Sequence, residues 1–404
     1  MNKCLIKSNN LEKLQTVLHK VAEAIKEAIK EKRPILIRHH ADTDGYAGAI
    51  ALQQAIMPLL YKAHARERDM QHYYTRLPSL TPYYDNQDAL RDVTNFLIDK
   101  KQFQHKEPLI IICDIGTTKQ SITGIKLAKN YDAKIIVIDH HPPDKEIQEV
   151  ADILLNPHLI KSDYDFCTGM MCAEIANIIN QDIEALYFIA AVAGYADKVK
   201  SEEYMQYLEL CKDKGITEDD ISTAAICIDY FGYELGNKES NDMLVDLFNP
   251  DSANHKQLIK LFSDSINEKM KKQLESNLFY AKITHLQNTM LSKIYVELDL
   301  EKIKKGNEYP RRGKCVGMMQ DYMQRTNKVP VITIGYSKDA ITFRSSTEIQ
   351  EFSIDEIIKL LQQKLPGAQV DGGGHRVAGS ISFIPQAFDD VKKIVDEYVE
   401  KILK

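Results

Sequence analysis

Three short apolar runs, one ending in a lone aspartate and two in clusters of acids and imidazoles, constrain this 404-residue chain more than any other feature. Residues 34–38 (PILIR), 109–113 (LIIIC) and 135–138 (IIVI) have the length and branched composition of strands buried on both faces. Helical patterns follow the first two, at residues 45–56 and 117–130, and a longer one precedes them at 11–30. Strands that alternate with helices predict a parallel sheet with crossover helices on its faces. In such sheets the ligand site lies beyond the carboxyl ends of the strands. Those ends are where the charged residues stand.

The rest of the chain reads differently. Residues 201–285 carry helical patterns throughout, and 254–282 read as one connecting helix. A second mixed region follows, strand-like at 293–298, 330–336, 340–344 and 379–384 and helix-like at 315–325, 353–361 and 385–403. The expected architecture is α/β in three parts: a parallel-sheet domain over 1–200, a helical insertion with its connecting helix over 201–287, and a smaller α/β domain over 288–404. The active site is expected in the cleft between the first and last. An apolar fraction of 44% supplies real cores and excludes a disordered or fibrous chain.

No stretch approaches the ~18 to 20 apolar residues of a membrane helix, and the first 14 residues hold lysines with no apolar block behind them. A cytoplasmic protein is expected. Seven cysteines are scattered without a CxxC pair, so neither a disulfide framework nor a zinc knuckle is predicted. A net charge of −6 argues against coating nucleic acid through a global basic field and leaves room for a local groove.

The first strand leads into Arg38-His39-His40-Ala41-Asp42-Thr43-Asp44-Gly45. Gathering acids and imidazole at the mouth of a sheet is costly unless a divalent cation neutralises them. The bland alternative is that Asp42 or Asp44 caps the following helix. The second strand ends at Asp114-Ile115-Gly116, where a helix cap is again an ordinary explanation. The third ends Asp139-His140-His141-Pro142-Pro143, an odd choice for a surface turn, and an apolar segment runs into Asp197. Three successive strand ends thus deliver enough ligands for two cations, a common device for phosphoryl hydrolysis.

These residues resemble the successive motifs of the DHH phosphoesterase superfamily. Gly372-Gly373-Gly374-His375-Arg376 resembles the glycine-rich signature of its substrate-binding domain, and Phe343-Arg344-Ser345-Ser346 that domain's other phosphate-contacting strand. The likeness covers residues 30–200 and 290–400. It implies one cation on His40, Asp42 and Asp114, and a second on Asp44, Asp114, His140 and Asp197. Asp114 bridges them, His141 contacts the scissile phosphate, and Asp139 orients a histidine; Asp114, His141 and Asp139 are the implied catalytic residues. Arg344, Ser345, Gly373, Gly374, His375 and Arg376 are the implied substrate-binding residues, the glycines as a nest of backbone N–H groups. Mn2+ is the implied cation, with Mg2+ as the alternative.

Within the superfamily the chain is similar to the archaeal RecJ-like branch, including nucleases associated with the GINS replication complex. That branch implies a single-strand exonuclease releasing mononucleotides from DNA or RNA, 3′ to 5′, in replication or repair, with a GINS or replisome partner and no membrane. Two rivals stand beside it. One is a hydrolase of small substrates such as very short oligonucleotides, cyclic dinucleotides or 3′-phosphoadenosine phosphate; the other is a non-catalytic replication scaffold. The basic stretch Lys302, Lys304, Lys305, Arg311, Arg312 and Lys314, with Tyr309, and the pairs Tyr73-Tyr74 and Tyr83-Tyr84 are candidate strand contacts, with solvated or packed loops as the plainer account.

Overall fold

The computed structural model describes residues 4–63, 70–79, 81–162, 165–235, 241–287, 292–304 and 308–403. The chain divides into two compact units, Met1–Asp264 and Ser265–Lys404, with the division inside the helix Ala253–Tyr280.

The first unit is built on a parallel sheet of β1 (Ile35–His40), β2 (Tyr74–Ser79), β3 (Leu109–Cys113), β4 (Lys134–Ile138) and β5 (Ile153–Leu155), in the order β2-β1-β3-β4-β5. The three apolar runs are the three central neighbours, β1, β3 and β4. Every residue of β3 is buried, which is why it reads as an unbroken apolar run. The chain crosses from β1 to one side and from β2 back to the other, so β1 and β3 flank the point where the winding reverses. Sheets of this order bind ligands at that point.

Register fixes the placement to the residue. His39 of β1 pairs with Cys113 of β3, and Cys113 with Ile138 of β4. The next residue on each strand is His40, Asp114 and Asp139, so three chemistry-bearing side chains leave the sheet side by side.

Helices cover the sheet. In α1 (Asn9–Lys30), Leu11, Leu14, Leu18, Val21, Ala22, Ile25 and Ile29 recur at helical spacing and are buried. Ser8 caps it, accepting hydrogen bonds from the N–H groups of Asn10 and Leu11. α2 (Thr43–Ala63) follows β1 directly and packs on the helix Thr168–Ile179, of which every residue is buried. A carboxylate also holds this helix in place: buried Glu174 accepts from Leu5 N–H at 2.9 Å and Tyr207 O–H at 2.7 Å.

Residues 201–285 are helical, as expected, over Glu202–Asp213, Glu218–Leu235, Asn241–Leu247 and Ala253–Tyr280, but the stretch ends in a strand, β6 (Lys282–Gln287). β6 opens the sheet of the second unit with β7 (Ser292–Asp299), β8 (Val331–Tyr336), β9 (Ala340–Ser345), β10 (Asp371–His375) and β11 (Ala378–Ser382). The order is β10-β11-β9-β8-β7-β6, with β7 and β8 parallel and the other pairs antiparallel. Alternation along β7 sorts two cores. Ile294, Val296 and Leu298 pack with Val316 and Met319 of the helix Arg312–Asn327, while Tyr295 joins Ile357 and Val395 of the helices Ile354–Lys364 and Phe388–Leu403. Among the described residues no helix is long and apolar enough to cross a membrane.

Candidate metal centre

The site of the first unit begins where β1 ends. Gly45, in the first turn of α2, lies so close to the strand that a Cβ there would sit 2.3 Å from the carbonyl oxygen of His40. That contact folds the start of the helix back over the strand end and brings Asp42 and Asp44 alongside His40. Asp42 caps the helix, and it still faces the histidine. Its Oδ1 accepts from Gly45 N–H at 3.0 Å, capping α2, while its Oδ2 stands 2.7 Å from His40 Nδ1. Gly45→Ala is expected to destabilise the protein by about 1–3 kcal/mol and to weaken divalent-cation binding by roughly 10-fold or more. Urea unfolding and calorimetric titration with Mn2+ check the two effects, and an unchanged Mn2+ affinity would show that this contact does not set the ligand geometry.

At the end of β3, Asp114 takes a left-handed backbone conformation, φ +61°, uncommon outside glycine, asparagine and aspartate. Such strain persists where the surroundings over-determine it. Here Asp114 N–H donates to Ile138 O at 2.9 Å, and the turn aims the carboxylate between the histidines. Asp114 Oδ2 lies 3.3 Å from His40 Nδ1, and its Oδ1 lies 3.3 Å from His140 Nε2. His140 Nε2 is also 3.0 Å from Asp197 Oδ2 and 3.9 Å from Asp44 Oδ2. Asp197 sits at the C-terminal end of the helix Leu186–Ala196.

Asp139 is turned to a supporting task. Its Oδ2 accepts from the N–H and hydroxyl of Thr117 at 3.2 and 2.6 Å, and its Oδ1 accepts from His141 N–H at 3.0 Å and His141 Nδ1 at 2.8 Å. Asp139 therefore orients His141. His39 is fully buried and its Nδ1 lies 2.7 Å from the carbonyl oxygen of His40, away from the acids.

Sequence reasoning did not pick out the helix Thr168–Ile179. Its first N–H groups, of Thr168 and Gly169, donate to the two oxygens of Asp44 at 2.9 and 2.8 Å, and Thr168 Oγ1 donates to Asp114 Oδ1 at 3.2 Å. A carboxylate at a helix N-terminus is favoured by the dipole as well as by the hydrogen bonds. The weak signal was Cys167-Thr168-Gly169 opening an apolar helix.

These groups fit divalent cations. His40 Nδ1 is buried and stands 2.7 Å from Asp42 Oδ2 and 3.3 Å from Asp114 Oδ2, as expected of atoms that converge on a common ion. Among the triads whose ligand atoms lie within 4.8 Å of one another are His40–Asp42–Asp114 and Asp44–Asp114–His140. The electrostatics agree. Burial, followed by the nearby Asp114 and Asp197, pushes the Asp44 carboxyl well above the usual range. Burial likewise lifts Asp197 to about 6, with Asp114 and Asp42 adding to it. Burial opposes ionisation of Asp114 too, but His140 and His40 hold it well below the ordinary value. Burial would lower both imidazoles, yet Asp42 with Asp114 raises His40, and Asp197 with Asp114 raises His140, well above theirs. Four crowded acids that share too little positive charge are a site made for cations.

The second unit places Arg344 and Ser345 at the end of β9 and the glycine run on β10. The glycines are not a loop nest. They form an edge strand paired with β11, and Cβ atoms at Gly372 and Gly374 would meet Ser380 O at 2.4 Å and Ala378 O at 2.5 Å. Gly373 has open space where its Cβ would be. Arg344 Nη1 donates to Phe343 O at 2.8 Å, and Ser345 Oγ to Ser346 O at 3.2 Å. Arg376, expected as a substrate donor, commits its guanidinium to the carbonyls of Thr347, Ile349, Gln350 and Phe352, which assigns it to holding that loop. Tyr74, Tyr84 and Tyr309 are buried, the packed alternative, while Lys305 lies outside the described residues.

Comparison with known proteins bears on the family and the fold. The DHH family, N-terminal domain, matches residues 34–197. An uncharacterised protein of Methanocaldococcus jannaschii is 32% identical over 98% of this chain, which spans 55% of that relative's length. The solved DHH domain of a member of the S1p family of ribosomal proteins is 33% identical with a TM-score of 0.93, covering 100% of this chain and 94% of that one. RecJ from Thermus thermophilus in complex with Mn2+ shares the fold, with a TM-score of 0.62 at 14% identity over 95% of this chain and 55% of its own.

Proposed function

This chain belongs to the DHH family of metal-dependent phosphoesterases, and from that premise we propose that it is a single-strand-specific exonuclease releasing mononucleotides from DNA or RNA. The observation that carries the reading is Asp114, whose two oxygens face two different donor sets. We assign one cation to His40, Asp42 and Asp114, and a second to Asp44, Asp114, His140 and Asp197. Mn2+ is the proposed ion, held in one RecJ complex of like fold, and Mg2+, held in another, is the alternative. When bound, such ions lower the pKa of water and neutralise charge that grows on the phosphoryl group.

The chain's own residues do the rest. Asp139 fixes the ring of His141, and although burial opposes it, Asp139 also raises that histidine's pKa. His141 is then a charged donor for a phosphate oxygen. In the second unit, Arg344 and His375 are proposed to hold the nucleotide's phosphate, with Ser345, Gly373 and Gly374 letting the backbone approach. Cations must displace the protons of His40 and His140, whose pKa values are raised, so uptake strengthens as pH rises. The proposed role is in replication or repair, alongside a GINS-type partner.

The test uses single strands of DNA and RNA, graded in length and labelled at the 5′ end, with and without Mn2+. The expected result is a ladder shortening one nucleotide at a time from the 3′ end in Mn2+ alone. Digestion confined to strands of a few nucleotides would make it a small-substrate hydrolase. No turnover, together with co-purifying replication proteins, would make it a scaffold.

A further inference from the structure

The helix Thr168–Ile179 begins with a residue that does not do the usual work of its position. Helix N-caps favour serine, threonine, aspartate or asparagine, whose side chain accepts from the first free N–H groups. Here the N-cap is Cys167, and it makes no side-chain capping hydrogen bond. Asp44 from α2 caps the helix instead, through Thr168 and Gly169. The thiol is released from that task; fully buried, it turns to Asp44, to which it hydrogen-bonds. Its sulfur and one oxygen each of Asp44 and Asp197 all lie within 4.8 Å of one another. A cysteine that merely fills space behaves as a small apolar group; a pocket shared with two carboxylates is a poor place for one.

The geometry points to Cys167 as a thiolate ligand of the cation on Asp44 and Asp197, so that this position, besides Mn2+, takes thiophilic divalent ions such as zinc, cobalt and cadmium and holds them more tightly. The inference rests on Asp44 and Asp197 being cation ligands, as proposed above. The His40–Asp42–Asp114 set offers nitrogen and oxygen alone, so the two positions differ in softness and suit different ions. On binding, the S–H bond breaks, the sulfur's electron pair goes to the cation and the proton leaves to solvent.

The full chain, freed of metal, is titrated with Co2+ under non-oxidising conditions beside Cys167→Ser and Cys167→Ala. The wild type is expected to develop a near-ultraviolet thiolate-to-cobalt charge-transfer band that both variants lack. Cd2+ binding should weaken by about 10-fold or more in the variants, and Mn2+ binding by clearly less than Cd2+ binding. A wild type that binds Co2+ without the band, or a band that survives in Cys167→Ser, overturns the thiolate assignment and leaves the metal centre standing. A wild type that takes up neither Co2+ nor Mn2+ overturns the metal centre and the thiolate with it. If Cys167→Ser fails to fold by circular dichroism, the wild-type spectrum and Cys167→Ala decide.

Discussion

Asp114→Asn is expected to lower phosphoester hydrolysis by about 10³-fold or more, with the fold intact. Asparagine is the right replacement because it keeps the size of the side chain and is among the few residues that tolerate the left-handed backbone at this position. Alanine would add strain and confuse the result. In the wild type each carboxylate oxygen faces its own imidazole, Oδ2 toward His40 and Oδ1 toward His140. The amide offers one neutral oxygen and, at the other position, an N–H2 group that repels a cation. Hydrolysis of a short labelled strand and calorimetric titration with Mn2+ measure the two consequences. Turnover within about 10-fold of wild type, less than the removal of one electrostatic group ordinarily costs, would remove the bridging role.

Arg38→Ala is expected to destabilise the protein by about 3–5 kcal/mol, a large share of what holds most domains folded. Arg38 leaves β1 two residues before His40 and is buried. Its guanidinium pairs with Asp92 through Nη2 and through Nε at 3.3 Å, approaches Asp88 at 3.5 Å and donates to Pro78 O at 3.1 Å. Removing the cation strands two acids on the helix Asn86–Phe103 in the interior. Most of the loss comes from those unpaired charges rather than from the worth of the pair, so Arg38→Met combined with Asp92→Leu should recover much of it. Urea unfolding of the single and double variants decides; equal destabilisation in both would mean that lost packing, not stranded charge, is the cause.

How much of this was legible in the sequence depended on whether a residue's role is local. β1, β3 and β4 were readable because strands buried on both faces must be apolar runs. β2 was not: it carries Arg76 and Pro78 and lies on the edge of the sheet, where proline is tolerated. β5 has three residues, too few for a period to show. β10 is mostly glycine, which argues against a strand by propensity, yet the close approach of β11 requires it. His40, Asp42, Asp44, Asp114 and the Asp139 cluster announced themselves as polar groups at strand ends. Asp197, a single acid after an apolar segment, drew its meaning from the others. Thr168 and Gly169 stayed hidden because they act on Asp44 through backbone N–H groups, and only tertiary structure brings them there.

Asp42 and Asp44 are each engaged by main-chain N–H groups of helix starts while also turned toward the imidazoles. The polypeptide itself thus holds the cage apart against its own repulsion. The fold is therefore expected to outlast removal of divalent cations by a chelator, with an unchanged circular dichroism spectrum as the check.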